Sequence, residues 1–203
     1  MDSDHIGVIP EASSQVTFVE ISLNLLLAIG IDHSIYLFDT KSGENICRIN
    51  HYPSKVIAAS WHPGDSFLIS GDSNGDLLKS TLPSSTSLVL SVPSGFISVY
   101  FHPSTFFLFI LYPTHFLVLN PGYEQLNKVL VAGFKLILDY FSPWKVIVVH
   151  SKGVKVVQDW QVPKVSKGKL KGSIDAILNP SALNSIFLLT ESKLIEFDTV
   201  ITK

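Results

Sequence analysis

Residues 56–81 read VIAASWHPGDSFLISGDSNGDLLKST. Val56 to Trp61 is a short apolar run that stops at His62-Pro63-Gly64, where proline withdraws a backbone donor and glycine permits a reversal. A second run, Phe67 to Gly71, ends in Asp72-Ser73-Asn74-Gly75, and a third begins at Leu77 and closes at Ser80-Thr81. Three runs of five or six residues, each bounded by turn chemistry, are too short for helices and predict consecutive antiparallel strands.

The same phrase recurs along the chain. Trp61-His62-Pro63, Phe101-His102-Pro103, Phe141-Ser142-Pro143 and Leu178-Asn179-Pro180 share an apolar strand end, a polar residue and proline, with the prolines 40, 40 and 37 residues apart. Stepping back from Pro63 reaches Leu23, which follows the similar run Val16 to Ile21 and makes a fifth unit. Second strands are expected at Leu25 to Gly30, Phe67 to Gly71, Phe106 to Leu111, Val146 to His150 and Ile186 to Thr190. Third strands close at Phe38-Asp39, Ser80-Thr81, Leu119-Asn120, Gln158-Asp159 and Phe197-Asp198. Fourth strands are expected at Ile46 to Ile49, Leu88 to Val92, Val129 to Val131 and Lys167 to Lys171.

Four strands in about 40 residues, repeated, is the arithmetic of a β-propeller blade. The expectation is one all-β propeller domain over 1–203, with blades at about 16–52, 53–93, 94–132, 133–172 and 173–198. The fifth unit lacks a fourth strand, and His5 to Ile9 is the candidate to supply it and close the ring; the alternative is an incomplete larger propeller. Phe38-Asp39 and Phe197-Asp198 fall where the WD-repeat family carries its Trp-Asp dipeptide, and Ser70 to Gly75 is similar to that family's second-to-third-strand turn. The chain therefore resembles a degenerate WD-repeat protein over roughly Val16 to Asp198. Ser80-Thr81, Leu119-Asn120 and Gln158-Asp159 depart from the dipeptide, and no Gly-His pair introduces the blades. The resemblance implies a rigid, non-enzymatic surface for other proteins within a larger intracellular complex, without a cofactor.

Composition agrees with an all-β chain. The 203 residues are 46% hydrophobic and only 16% charged, with 13 phenylalanines and a net charge of −2. A near-neutral chain has no bulk attraction for nucleic acid or membrane, which leaves local patches. Cys47 is the single cysteine, so no internal disulfide or cysteine-based zinc site forms, and a reducing compartment, cytoplasmic or nuclear, is expected. Phe106 to Tyr112 is the most apolar stretch and is far short of the roughly 20 residues needed to span a bilayer as a helix.

Several constellations bear on chemistry. Gly71-Asp72-Ser73-Asn74-Gly75 matches the Gly-x-Ser-x-Gly pattern of a nucleophile elbow, but a strand, not a helix, is expected to follow it. His33, His115 and His150 fall in the second-to-third-strand turns, where the readings are a three-histidine metal site at the channel mouth or surface loop histidines, the latter favoured; Asp32, Asp72, Asp76, Asp175 and Glu191 lie near the same rim, the carboxylates on which a small glycan-binding propeller or glycoside hydrolase would draw. No catalytic, metal-binding or cofactor-binding residue is assigned from them. Phe116, Tyr123 and Trp144 are the expected exposed aromatic anchors of a partner surface. Lys164, Lys167, Lys169 and Lys171 form the one basic cluster, with no acid between Asp159 and Asp175. Lysines on an outer strand block unwanted strand pairing; the functional readings are an acidic peptide, a phosphoinositide or RNA.

Overall fold

The computed structural model describes residues 15–50, 52–82, 85–138, 144–150, 153–161, 165–169, 173–178, 185–190 and 194–198, with side chains up to residue 161. The described elements are nineteen strands: β1 Val16–Ile21, β2 Leu26–Ile31, β3 Ser34–Asp39, β4 Asn45–Ile49, β5 Val56–Trp61, β6 Leu68–Asp72, β7 Asp76–Thr81, β8 Ser85–Ser91, β9 Ser98–Phe101, β10 Leu108–Leu111, β11 Phe116–Leu119, β12 Gln125–Val129, β13 Lys135–Leu138, β14 Val146–His150, β15 Gly153–Val157, β16 Val165–Lys169, β17 Ser173–Leu178, β18 Ser185–Thr190 and β19 Leu194–Asp198. They form antiparallel meanders in the orders β1-β2-β3-β4, β5-β6-β7-β8, β12-β11-β10-β9, β13-β14-β15-β16 and β17-β18-β19. This is a β-propeller arrangement of four-stranded sheets.

The blade count differs from the five expected. Four sheets are complete and the fifth has three strands among the described residues. His5 to Ile9, the expected closing strand, lies outside the described residues. The third unit's fourth strand also differs: it is Gln125–Val129, not Val129 to Val131. The Asn120–Glu124 turn, in which Asn120 N–H donates to the Glu124 carbonyl at 2.9 Å, starts the return strand early. Its alternation of exposed Gln125 and Leu126 with half-buried Asn127 carries little apolar signal, whereas Val129-Leu130-Val131 does.

The chain divides into two compact units, Met1–Phe101 and His102–Lys203. In the first, the innermost strands lie side by side, β1 against β5 and β5 against β9. Phe101 N–H donates to Ser60 Oγ at 3.0 Å and so ties β9 to β5. Ala28, Ile35, Leu37 and Ile49 of the first sheet and Val56, Ala59, Trp61, Leu68 and Leu78 of the second share one buried cluster with Tyr52. Interdigitation of this kind at organic-crystal density is what makes apolar runs necessary on both faces of a blade. In the second unit β17 lies against β13, and Ile137, Ile147, Val149, Val154 and Val156 form a core cluster. Phe106 to Leu111 illustrates the two-faced burial: Leu108, Phe109, Ile110 and Leu111 are all fully buried.

Candidate functional site

Backbone turns place the exposed aromatic residues. The first-to-second-strand turns of three units each put a residue in the left-handed region: Leu25 (φ 63°) and Asp65 (φ 50°) at the same repeat position, and Phe106 (φ 61°) one residue later in its turn. Their N–H groups donate back to the Ser22, His62 and His102 carbonyls at 3.1, 2.8 and 3.1 Å. His62 Nδ1 accepts the Gly64 N–H at 3.1 Å, and His102 Nδ1 accepts the Ser104 N–H at 3.2 Å, so the repeated histidines cap their own turns. Asp65 reaches further, accepting the N–H groups of Leu23 at 3.2 Å and Asn24 at 2.6 Å in the neighbouring blade's turn.

Trp144 occupies the corresponding turn of the fourth unit and is 41% exposed. Its ring centroid lies 5.3 Å from that of Trp160, which is buried. Phe107 and Phe109 meet Trp160 edge-on at 5.7 and 6.1 Å. Trp160 N–H donates to the Trp144 carbonyl at 3.1 Å, and Asn127 Nδ2 donates to the Trp160 carbonyl at 2.5 Å. The exposed indole is thus held from behind by an aromatic stack and a pinned backbone.

The other two expected anchors differ from it. Tyr123 is half-buried in the third-to-fourth-strand turn at φ 65°, where the first unit uses Gly43 at φ 73°. Partial burial raises its phenol pKa. Phe116 corrects the expectation of exposure: it is fully buried in β11, its ring 5.9 Å from Phe109, because β11 is an interior strand packed on both faces.

The hydrolase pattern becomes a hairpin turn. Asp72 is fully buried and its Oδ1 accepts the N–H groups of Asn74, Gly75 and Asp76 at 3.0, 3.1 and 3.0 Å. Gly75 has φ +100°, and a Cβ there would lie 2.0 Å from the Val92 carbonyl oxygen, so glycine is required. Ser73 is exposed and β7 follows, so no strand-to-helix elbow forms. Asp76 Oδ1 accepts the Ser91 hydroxyl at 2.6 Å. Asp32 and His33 sit in the β2–β3 turn, and the Asp32 carbonyl accepts the Val56 N–H at 2.7 Å. His115 stacks on Tyr112 at 4.4 Å, and burial, with the Lys128 charge, lowers its pKa. His150 ends β14, half-buried. Among the described residues no three His, Cys, Asp or Glu side chains gather as a metal site. Glu191 and the side chain of Asp175 lie outside the description.

The sequence did not disclose a buried polar pair under this turn. The hydroxyls of Tyr52 and Ser70 are hydrogen-bonded to each other, and Tyr52 precedes the blade at the point where the WD-repeat resemblance lacks its Gly-His. Burial pushes the Tyr52 phenol up to about 12. A tyrosine before Pro53 was readable only as one more aromatic.

Of the lysines, Lys167 and Lys169 lie on β16, the last strand of its sheet, while Lys164 and Lys171 lie outside the described residues. Pairing sets Lys155 of β15 opposite Lys167 and Gly153 opposite Lys169. Lys155 was missed because it is twelve residues away in sequence, and only the hairpin register joins it to the group. Among the described residues no helix is long and apolar enough to cross a membrane.

No protein-family model matches the chain. A stretch of 52 residues, 26% of its length, is 33% identical to part of the LEC14B homolog of Prunus armeniaca. That match covers 11% of the apricot protein.

Proposed function

We propose that the chain is a non-enzymatic, WD-repeat-like β-propeller that binds other proteins as a subunit of a larger intracellular assembly. One observation carries this reading: Trp144 is 41% exposed yet fixed against Trp160. A solvent-facing tryptophan costs solubility, and a preorganised one loses little side-chain entropy on binding, which is the profile of an interface anchor.

Affinity capture followed by quantitative mass spectrometry, with wild-type and Trp144→Ala chains, tests it. The expected result is selective loss of a defined set of proteins from the variant with its melting temperature within a few degrees of wild type. An identical captured set would overturn the assignment of Trp144 as an anchor.

A further inference from the structure

The sheet β13-β14-β15-β16 contains Lys135, His150, Lys155, Lys167 and Lys169 and no aspartate or glutamate, although the whole chain has a net charge of −2. Acidic residues are absent from Trp160 to Ile174 as well. The register concentrates this charge. Lys155 is the direct cross-strand partner of Lys167, and the next row on the same face sets His150, Gly153 and Lys169 side by side. Like charges placed directly opposite each other destabilise a sheet. Protecting an edge from stray pairing needs only a lysine on the outer strand. It does not call for a second lysine at the paired register position of β15.

We infer that the outer edge of this sheet is a docking site for an extended acidic polypeptide, which pairs with β16 as an added strand and sets alternate carboxylates against Lys155, Lys167 and Lys169. The inference rests on the protein-binding role above and names a surface and partner chemistry for it. Two features select a strand over other anions. β16 ends its sheet, so its outward backbone groups match an incoming chain. Lys167 and Lys169 alternate with Ser166 and Gly168, the two-residue spacing of side chains along one face of a strand. Among the described residues, the positions that share the register face of Lys155, Lys167 and Lys169 include no Phe, Tyr or Trp on which unpaired bases could stack.

The test is fluorescence anisotropy of the full chain with a labelled alternating Glu-Val peptide. The same peptide with alternate amides N-methylated, phosphatidylserine vesicles and oligouridylate are measured alongside. Binding of the unmodified peptide is expected, with at least about tenfold weakening in Lys155→Glu/Lys167→Glu/Lys169→Glu and a strong decline with salt. Lys167→Glu alone separates function from structure, because it turns a like-charge pair into an opposite one: the melting temperature should hold or rise while peptide affinity falls. Equal binding of the methylated peptide, control by these lysines of vesicle or RNA binding instead, or indifference of peptide binding to the triple change would each overturn the inference. Proteins captured through Trp144 but indifferent to the triple change leave the protein-binding role standing and remove only the edge. Loss of Trp144-dependent capture with intact peptide binding does the reverse.

Discussion

At the scale of single residues, Asp72 shows how a polar side chain specifies a turn from inside the core. Its Oδ1 holds three consecutive N–H groups, while its Oδ2 has no hydrogen-bond partner. Asp72→Ala removes one acceptor from three N–H groups, of which Asn74 keeps Ser54 Oγ and Gly75 keeps the Asp72 carbonyl, and is expected to cost about 1–3 kcal/mol, the order for one buried donor left unpaired. Asp72→Asn keeps a carbonyl oxygen for the same donors and should cost less than half as much. Urea unfolding of the two variants measures this; equal losses would mean that the charge, not the geometry, matters. Shifted titrating groups add a pH dependence, and His62 and Tyr52 show its two signs. Burial, with the nearby Lys79 charge, lowers the His62 pKa from its ordinary 6.5, so the fold favours neutral imidazole. That contribution is present above pH 6.5 and is lost as pH falls through the lowered value. Burial raises Tyr52 from 10.0 to about 12, so its contribution is present below pH 10 and is lost as pH climbs from 10 towards 12. Burial raises the Cys47 thiol from 9.0 as well, so stability should plateau between about pH 7 and 9, with Tyr52→Phe flattening the part of the alkaline limb above pH 10 in urea midpoints taken across pH.

At the scale of elements, the strand frames were legible because two signals coincided every 40 residues: an apolar run and a proline-bearing stop. Val146 to His150 was located to the residue, and Leu26–Ile31 and Leu68–Asp72 begin one residue beyond the runs read from sequence. The outer strands were less legible. Gln125–Val129 alternates polar residues against solvent, and an edge strand with one solvated face presents no apolar run. The turns carried a second layer that periodicity does not encode. Leu25, Asp65 and Phe106 each take the left-handed backbone in the same kind of turn, yet a leucine, an aspartate and a phenylalanine give no common signal. Their equivalence comes from closing the same hairpin, not from residue type. The candidate site was divided in the same way. Trp144 was read from its place after Pro143, but Trp160 behind it is sixteen residues distant, and Phe116, read as an anchor, was claimed by the core. Lys155 and Lys167 face each other only through hairpin register, which no count along the chain supplies.

At the scale of the whole molecule, composition decides what the surface must hold. A chain 46% hydrophobic and 16% charged has too few charges to cover itself, so apolar residues reach solvent wherever a blade face lacks a neighbour. The first sheet shows the result: Val19, Ile21 and Leu23 are 56%, 58% and 80% exposed. Val19 pairs with Ile29 and Ile21 with Leu27, and these continue through Tyr36 and Phe38 into one apolar strip, with the Arg48 guanidinium 5.0 Å over the Tyr36 ring. The opposite face of the same sheet is sealed against the second. Within this strip Val19 and Ile21 are exposed while Tyr36 and Phe38 are buried, and exposed apolar residues of this kind are sticky without being structural. Val19→Lys with Ile21→Lys should therefore leave the melting temperature within about 2 °C of wild type, because side chains already in water lose little transfer free energy. The same double change should reduce concentration-dependent self-association in light scattering. A fall of many degrees would instead mean that Val19 and Ile21 make a stabilising contact in solution.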